Sequence, residues 1–128
     1  MPVRSLNSSV FGWPDGGLVD REVRRWSREE AGAHPGLVRL GYYGSYARGQ
    51  WGVGSDLDLV AVVAASSLPF ENRAIEWNLT GLPVPAEILV YTAEEWSRLQ
   101  ATDRRFARML AQETVWVFPD APRLPADA

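Results

Sequence analysis

Residues 37–64 read LVRLGYYGSYARGQWGVGSDLDLVAVVA, and this stretch decides the fold. Leu37–Tyr43 has the composition of a strand, and Gly44 breaks it. Ser45–Arg48 has room for one helical turn, and Gly49–Ser55 is a glycine-punctuated loop. Leu57–Ala64 is then a nearly continuous apolar run, the pattern of a strand covered on both faces inside an α/β sheet.

Upstream, Leu18–Ala33 shows helical periodicity. Val19, Val23 and Trp26 share one face, and Arg21, Arg24, Arg25 and Arg28 spread over the solvated remainder. The His34-Pro35-Gly36 turn stops that helix. Downstream, Ser67–Asn78 reads as a second helix, with Pro69 in its first turn and Phe70, Ala74 and Trp77 as its apolar stripe. After a turn at Gly81–Pro85, Ala86–Tyr91 is the next strand. Thr92 and Glu95 have capping-box spacing and start a helix carrying Trp96 and Leu99. Thr102 or Asp103 caps a further helix, with Phe106, Met109 and Leu110 facing inward. Thr114–Phe118 is a last short strand. The expected fold is mixed α/β (α+β), a central sheet of about 3–5 strands with helices packed on it. It forms one domain over residues 1–128. Residues 1–17 form an irregular arm, pinned by Phe11 and Trp13, and residues 119–128 a frayed tail.

Composition narrows the function. The chain has 128 residues, 46% of them apolar, enough for a core without disulfides. It has no cysteine, which excludes thiolate metal sites and cysteine nucleophiles. His34 is the single histidine, and its place in a turn marks it as structural. All 13 basic residues are arginine, so a lysine-dependent phosphate loop, a Schiff base and a lysine general base are excluded. The net charge of −3 argues against a broad nucleic-acid surface, so no direct nucleic-acid binding is expected. No apolar run approaches a membrane span and no signal peptide is evident, so the expected compartment is cytoplasmic.

The chemistry concentrates between residues 44 and 58. Asp56 and Asp58 lie two apart at a strand start and so point to one face. Two facing carboxylates repel, and a bound divalent cation relieves that cost. Mg²⁺ favours one or two carboxylates completed by substrate phosphates and water. Gly44 lets the backbone turn and approach a ligand, and Ser45 offers a hydroxyl and an N–H at the start of a helical turn. The same geometry serves a plain helix cap. Arg48 is placed to pair with a phosphate oxygen. Glu87, at the start of the next strand, is the candidate third carboxylate, able to share a metal and accept a proton. Trp26, Trp77, Trp96 and Trp116 read as core. Trp51 lies in the glycine loop and is expected to be exposed there, within reach of a base or a partner.

Gly44-Ser45, ten residues, then Asp56-x-Asp58 resembles the signature of the DNA polymerase β-like nucleotidyltransferase superfamily, and within it the minimal nucleotidyltransferase (MNT) group. The fuller Gly-Ser-x-Ala-Arg-Gly and Ser-Asp-Leu-Asp-Leu are also present. At average residue usage such spacing arises by chance in roughly one chain in a thousand of this length. The resemblance implies a nucleoside triphosphate, usually ATP, used with Mg²⁺. It implies transfer of a nucleotidyl group to a hydroxyl with release of pyrophosphate. Asp56, Asp58 and Glu87 would be metal ligands and catalytic residues. Gly44 and Ser45 would hold the terminal phosphates, with Arg48 as a further nucleotide contact. It also implies a HEPN-domain partner, a toxin to which this chain is the antitoxin. The chain departs from the family in one place: the third acidic position is usually Asp and here is Glu87, whose extra methylene moves the carboxylate by about 1 Å. Two alternatives stand beside this reading, a catalytically weak module that neutralises its partner by occlusion and a small-molecule nucleotidyltransferase.

Overall fold

The computed structural model describes residues 13–119. The first element is helix α1, Gly16–Ala33. Asp15 caps it, its carboxylate accepting from the Leu18 N–H at 2.8 Å. The helix therefore begins inside the stretch expected as an irregular arm, because the Asp15 cap precedes a glycine pair that the chain can wind. Phe11 lies outside the described residues. Trp13 does pin the chain here: it packs on the core, and its indole N–H donates to the Tyr46 hydroxyl at 3.0 Å.

Strand β1 is Leu37–Tyr43, and helical turn α2 is Ser45–Arg48. Strand β2 is Leu57–Val63 and strand β3 is Ala86–Thr92. Helices α3, Ala93–Gln100, and α4, Arg105–Glu113, lead to strand β4, Val115–Phe118. The four strands form one mixed sheet in the order β3-β2-β1-β4. β1 pairs antiparallel with β2 and β4, while β2 and β3 run parallel. The mixed α/β expectation, with a sheet of this size, is what the molecule has.

Strand periodicity divides the core between two faces. On one face Leu57, Leu59, Ala61 and Val63 of β2 join Ile88 and Val90 of β3 against Val19, Val23 and Trp26 of α1. Each of the valine, leucine and isoleucine side chains contributes about 1.5–3 kcal/mol on burial. α1 also buries polar atoms, and each has a partner. The Tyr42 hydroxyl donates to Asp20 at 2.7 Å, and the Trp26 indole donates to the Asn78 carbonyl at 2.7 Å. On the other face Val60 and Val62 are buried, as are Ala107 and Leu110 of α4.

Residues 67–78 depart from the expected α-helix. They contain a 3₁₀ segment, Phe70–Glu76, and a shorter one follows at Leu79–Gly81. The residue this segment buries is Arg73, while Ala74 of the expected stripe is half-buried against the core. Arg73 is 5% exposed. Its guanidinium donates to the carbonyls of Leu68 and Val90 and pairs with Glu95. Phe70 and Ile75 are exposed, while Trp77 is buried as expected.

The capping box is present as the spacing required: the Thr92 hydroxyl accepts from the Glu95 N–H, and the Glu95 carboxylate accepts from the Thr92 N–H. In α4 the inward positions are Ala107 and Leu110, with Met109 half-buried. Phe106, expected inside, is exposed. It lies edge-on to the Tyr43 ring, with centroids 6.1 Å apart. Among the described residues no helix is long and apolar enough to cross a membrane.

Candidate active site

Sheet register builds the site. Tyr43 of β1 stands opposite Asp58 of β2, and Asp58 stands beside Glu87 of β3. Neighbouring strands lie about 4.8 Å apart, so these three side chains form one row on one face of the sheet. Asp56 sits just before the strand and is exposed, Asp58 is half-buried, and Glu87 is exposed. The structure thus brings Asp58 and Glu87 side by side, with Asp56 close enough to be felt electrostatically.

That proximity shows in the chemistry of Asp58. Burial pushes its carboxyl above the ordinary value, and the charges of Glu87 and then Asp56 push it further; the Arg48 guanidinium opposes them. Asp58 and Glu87 are neighbouring hard oxygen donors whose mutual repulsion a hard divalent cation would relieve. Among the described residues no three His, Cys, Asp or Glu side chains are gathered into a ready metal cluster. An open carboxylate edge fits a cation that arrives with phosphate oxygens and water in its shell.

Gly44 is required by this arrangement. Its φ is +81° and its ψ −151°, a conformation that essentially only glycine adopts. A Cβ there would collide with Oδ2 of Asp58. The Asp58 carboxylate therefore leans over the end of β1, against the glycine backbone. Gly44 is also the residue preceding the first turn of α2, and no side chain caps that turn. Ser45 is thus inside α2 and half-buried, its hydroxyl not used as a cap. Arg48 lies at the end of α2, where its guanidinium donates to Gln50 at 3.0 Å and meets Glu113 at 3.5 Å.

Two residues differ from expectation. Trp51 is half-buried, because its indole stacks parallel on Tyr46 at 6.0 Å and packs near Gly16. Tyr43, read from sequence only as a strand residue, is a member of the row. Burial raises its hydroxyl to about 12, and the charges of Asp58 and Glu87 add to this, together with Tyr91. Its signal in the sequence was position alone: it is the last strand residue before Gly44. His34 is elsewhere, its ring stacked on Trp77 at 3.8 Å. A cavity of about 270 Å³ under that stack lies at the other end of β2, away from the carboxylates.

Comparison with known proteins bears on this geometry. The profile of the nucleotidyltransferase domain matches residues 24–116. No curated protein matches the chain. Among solved structures, a candidate nucleotidyltransferase from Sulfolobus solfataricus superposes with a TM-score of 0.55 at 17% identity. The match covers 82% of this chain and 88% of that one. At that identity the likeness speaks for the fold.

Proposed function

The chain belongs to the nucleotidyltransferase domain family, and we propose that it is a minimal nucleotidyltransferase acting on a hydroxyl of a partner protein. Its donor in this reading is a nucleoside triphosphate, ATP by resemblance, used with Mg²⁺. The observation that carries the reading is the in-register pairing of Asp58 with Glu87 on parallel strands beside Gly44, where a Cβ would press on the Asp58 carboxylate. Asp56, Asp58 and Glu87 would hold the cation, which when bound offsets the charge of the phosphates and of the departing pyrophosphate. Gly44 and Ser45 would receive the terminal phosphates. Arg48 would join them by exchanging its contact with Glu113 for a phosphate oxygen, a stronger charge-assisted pair.

The reaction follows from these placements. The acceptor oxygen attacks the α-phosphorus, the bond from that phosphorus to the bridging oxygen breaks, and pyrophosphate leaves. The hydroxyl proton passes to a carboxylate of the row. Glu87 is suited to take it, being exposed at the sheet edge where an acceptor can approach. The partner in this reading is a HEPN-domain toxin and this chain is its cytoplasmic antitoxin.

Co-expression with the partner followed by intact mass spectrometry tests this. Native chain is expected to add one or more nucleotidyl masses to the partner, and chain carrying Asp56→Asn and Asp58→Asn to add none. A partner neutralised equally by both chains, and unmodified by either, would refute transfer and leave occlusion. Turnover of ATP with a free hydroxyl compound and no partner would point to a small-molecule acceptor.

A further inference from the structure

Helix α4 touches the candidate site near both of its ends. Close to its start, Phe106 packs edge-on to Tyr43 of the row, with ring centroids 6.1 Å apart and planes at 86°. At its end, Glu113 meets Arg48 at 3.5 Å, and Arg48 is the arginine proposed to take a phosphate. Phe106 and Glu113 are about 10 Å apart along the helix at 1.5 Å per residue, the length scale of a nucleoside triphosphate. The helix buries Ala107 and Leu110 and leaves Phe106 39% exposed. Of the exposed large apolar side chains among the described residues, Phe106 is the one in ring contact with the row. Perpendicular packing on Tyr43 covers at most one face of the Phe106 ring and steadies its orientation. Arg104 and Arg105 immediately precede it and are exposed, so the field on that side favours a polyanion.

We propose that Phe106 is the base platform of the nucleotide site: the open face of its ring stacks on the nucleobase of a triphosphate whose phosphates and cation are held at the carboxylate row. The inference rests on the reading of that row as a cation and triphosphate site, and deepens it by naming what holds the nucleoside. Every base has a π face, so stacking serves any nucleotide, and loss of an aromatic platform weakens binding by about 5–150-fold. A single ring with one open face belongs near the lower end, about tenfold. Such a platform acts on the base alone. It leaves the binding of inorganic tripolyphosphate, which has no base, unchanged. Phe106 makes and breaks no bond in the transfer.

The test measures two ligands by isothermal titration calorimetry in the presence of Mg²⁺: α,β-methylene-ATP and inorganic tripolyphosphate. It uses the native chain, Phe106→Ala, Phe106→Trp and Asp58→Asn. The native chain is expected to bind the nucleotide more tightly than tripolyphosphate. Phe106→Ala is expected to lose about tenfold in affinity for the nucleotide and to keep native affinity for tripolyphosphate, which also shows that it is folded. Phe106→Trp is expected to restore the nucleotide affinity. If Phe106→Ala binds the nucleotide as the native chain does, the proposal is overturned. Equal weakening of both ligands in Phe106→Ala would assign the residue to packing and overturn it as well. So would a native chain that binds the nucleotide no better than tripolyphosphate, or a Phe106→Trp chain that restores nothing. If the native chain binds neither ligand, or Asp58→Asn binds both as the native chain does, the reading of the row itself fails. Tripolyphosphate separates that outcome from a failure confined to Phe106.

Discussion

Two carboxylates at opposite ends of the β2–β3 strand pair are treated in opposite ways. Glu95, at the start of α3, accepts from the Arg73 guanidinium and from the Thr92 backbone, and those bonds hold its carboxyl down to about 2. Asp58, at the start of β2, is pushed up by burial and then by the like charges of Glu87 and Asp56. Where a carboxylate serves the fold, the chain supplies its own cation from Arg73. Where it serves the proposed chemistry, the cation is left to come from outside. The contrast distinguishes an acid neutralised within the fold from the acid proposed to take a cation, without reference to either residue's place in a motif.

The contrast can be broken most severely at its structural end. Arg73→Met removes the guanidinium that bridges Glu95 to the carbonyls of Leu68 and Val90. Breaking a buried pair from one side costs about 3–5 kcal/mol. Glu95 keeps a third of its side chain exposed, which places the expected loss near the lower figure, about 3 kcal/mol by urea denaturation. A loss under about 1 kcal/mol would mean that Arg73 is not what organises the 3₁₀ segment.

Gly44→Ala acts at the other end. It forces a side chain into a glycine-only conformation and against Asp58, costing about 1–3 kcal/mol of stability. Displacing the Asp58 carboxylate is expected to lower nucleotidyl transfer by about 100-fold, measured as modified partner per unit time. Full activity would show that the close packing of Gly44 on Asp58 is incidental.

The two acids also differ in the sign of their pH dependence. Glu95 has a depressed folded value, so its stabilisation is present above its ordinary value and is lost as pH falls toward about 2. Asp58 has a raised folded value, so the folded chain holds that proton more tightly. Stability therefore declines as pH rises from the ordinary carboxylate value into the range just above it. Denaturant melts across acidic pH should show Glu95→Gln flattening the acid limb and Asp58→Asn removing the decline on the rising side. The smallest effect is expected at Ile75, 84% exposed and distant from both acids in role. Ile75→Ser should change stability by no more than about 0.5 kcal/mol in the same melts.

Much of this was legible in the sequence where the signal was local. The strand at Leu37–Tyr43, the turn at Ser45–Arg48 and the capping box at Thr92 each follow from a few adjacent residues. What was not legible depended on residues far apart. The 3₁₀ segment turns on an arginine pointing inward toward Glu95, and an apolar stripe cannot announce a buried cation. Phe106 looked like core because it is apolar, yet the inward stripe of α4 is Ala107 and Leu110. The motif drew attention to Asp56 and Asp58, but the place of Tyr43 in the row depends on the register of β1 against β2. Glu87 was placed correctly beside Asp58 only because two apolar runs with acids at their starts turned out to be parallel neighbours.

The claim that the Asp58 row is held open for a cation-bound nucleotide is tested most directly by thermal stability with and without Mg²⁺ and the non-transferable analogue α,β-methylene-ATP. A ligand at a hundred times its dissociation constant stabilises a folded chain by about 2.7 kcal/mol. The native chain is expected to gain several degrees in Tm only when Mg²⁺ and nucleotide are both present. Asp58→Asn is expected to start at or above the native midpoint and to gain nothing. An equal gain in both chains would contradict the assignment, because Asp58 would then play no part in holding the cation or its nucleotide.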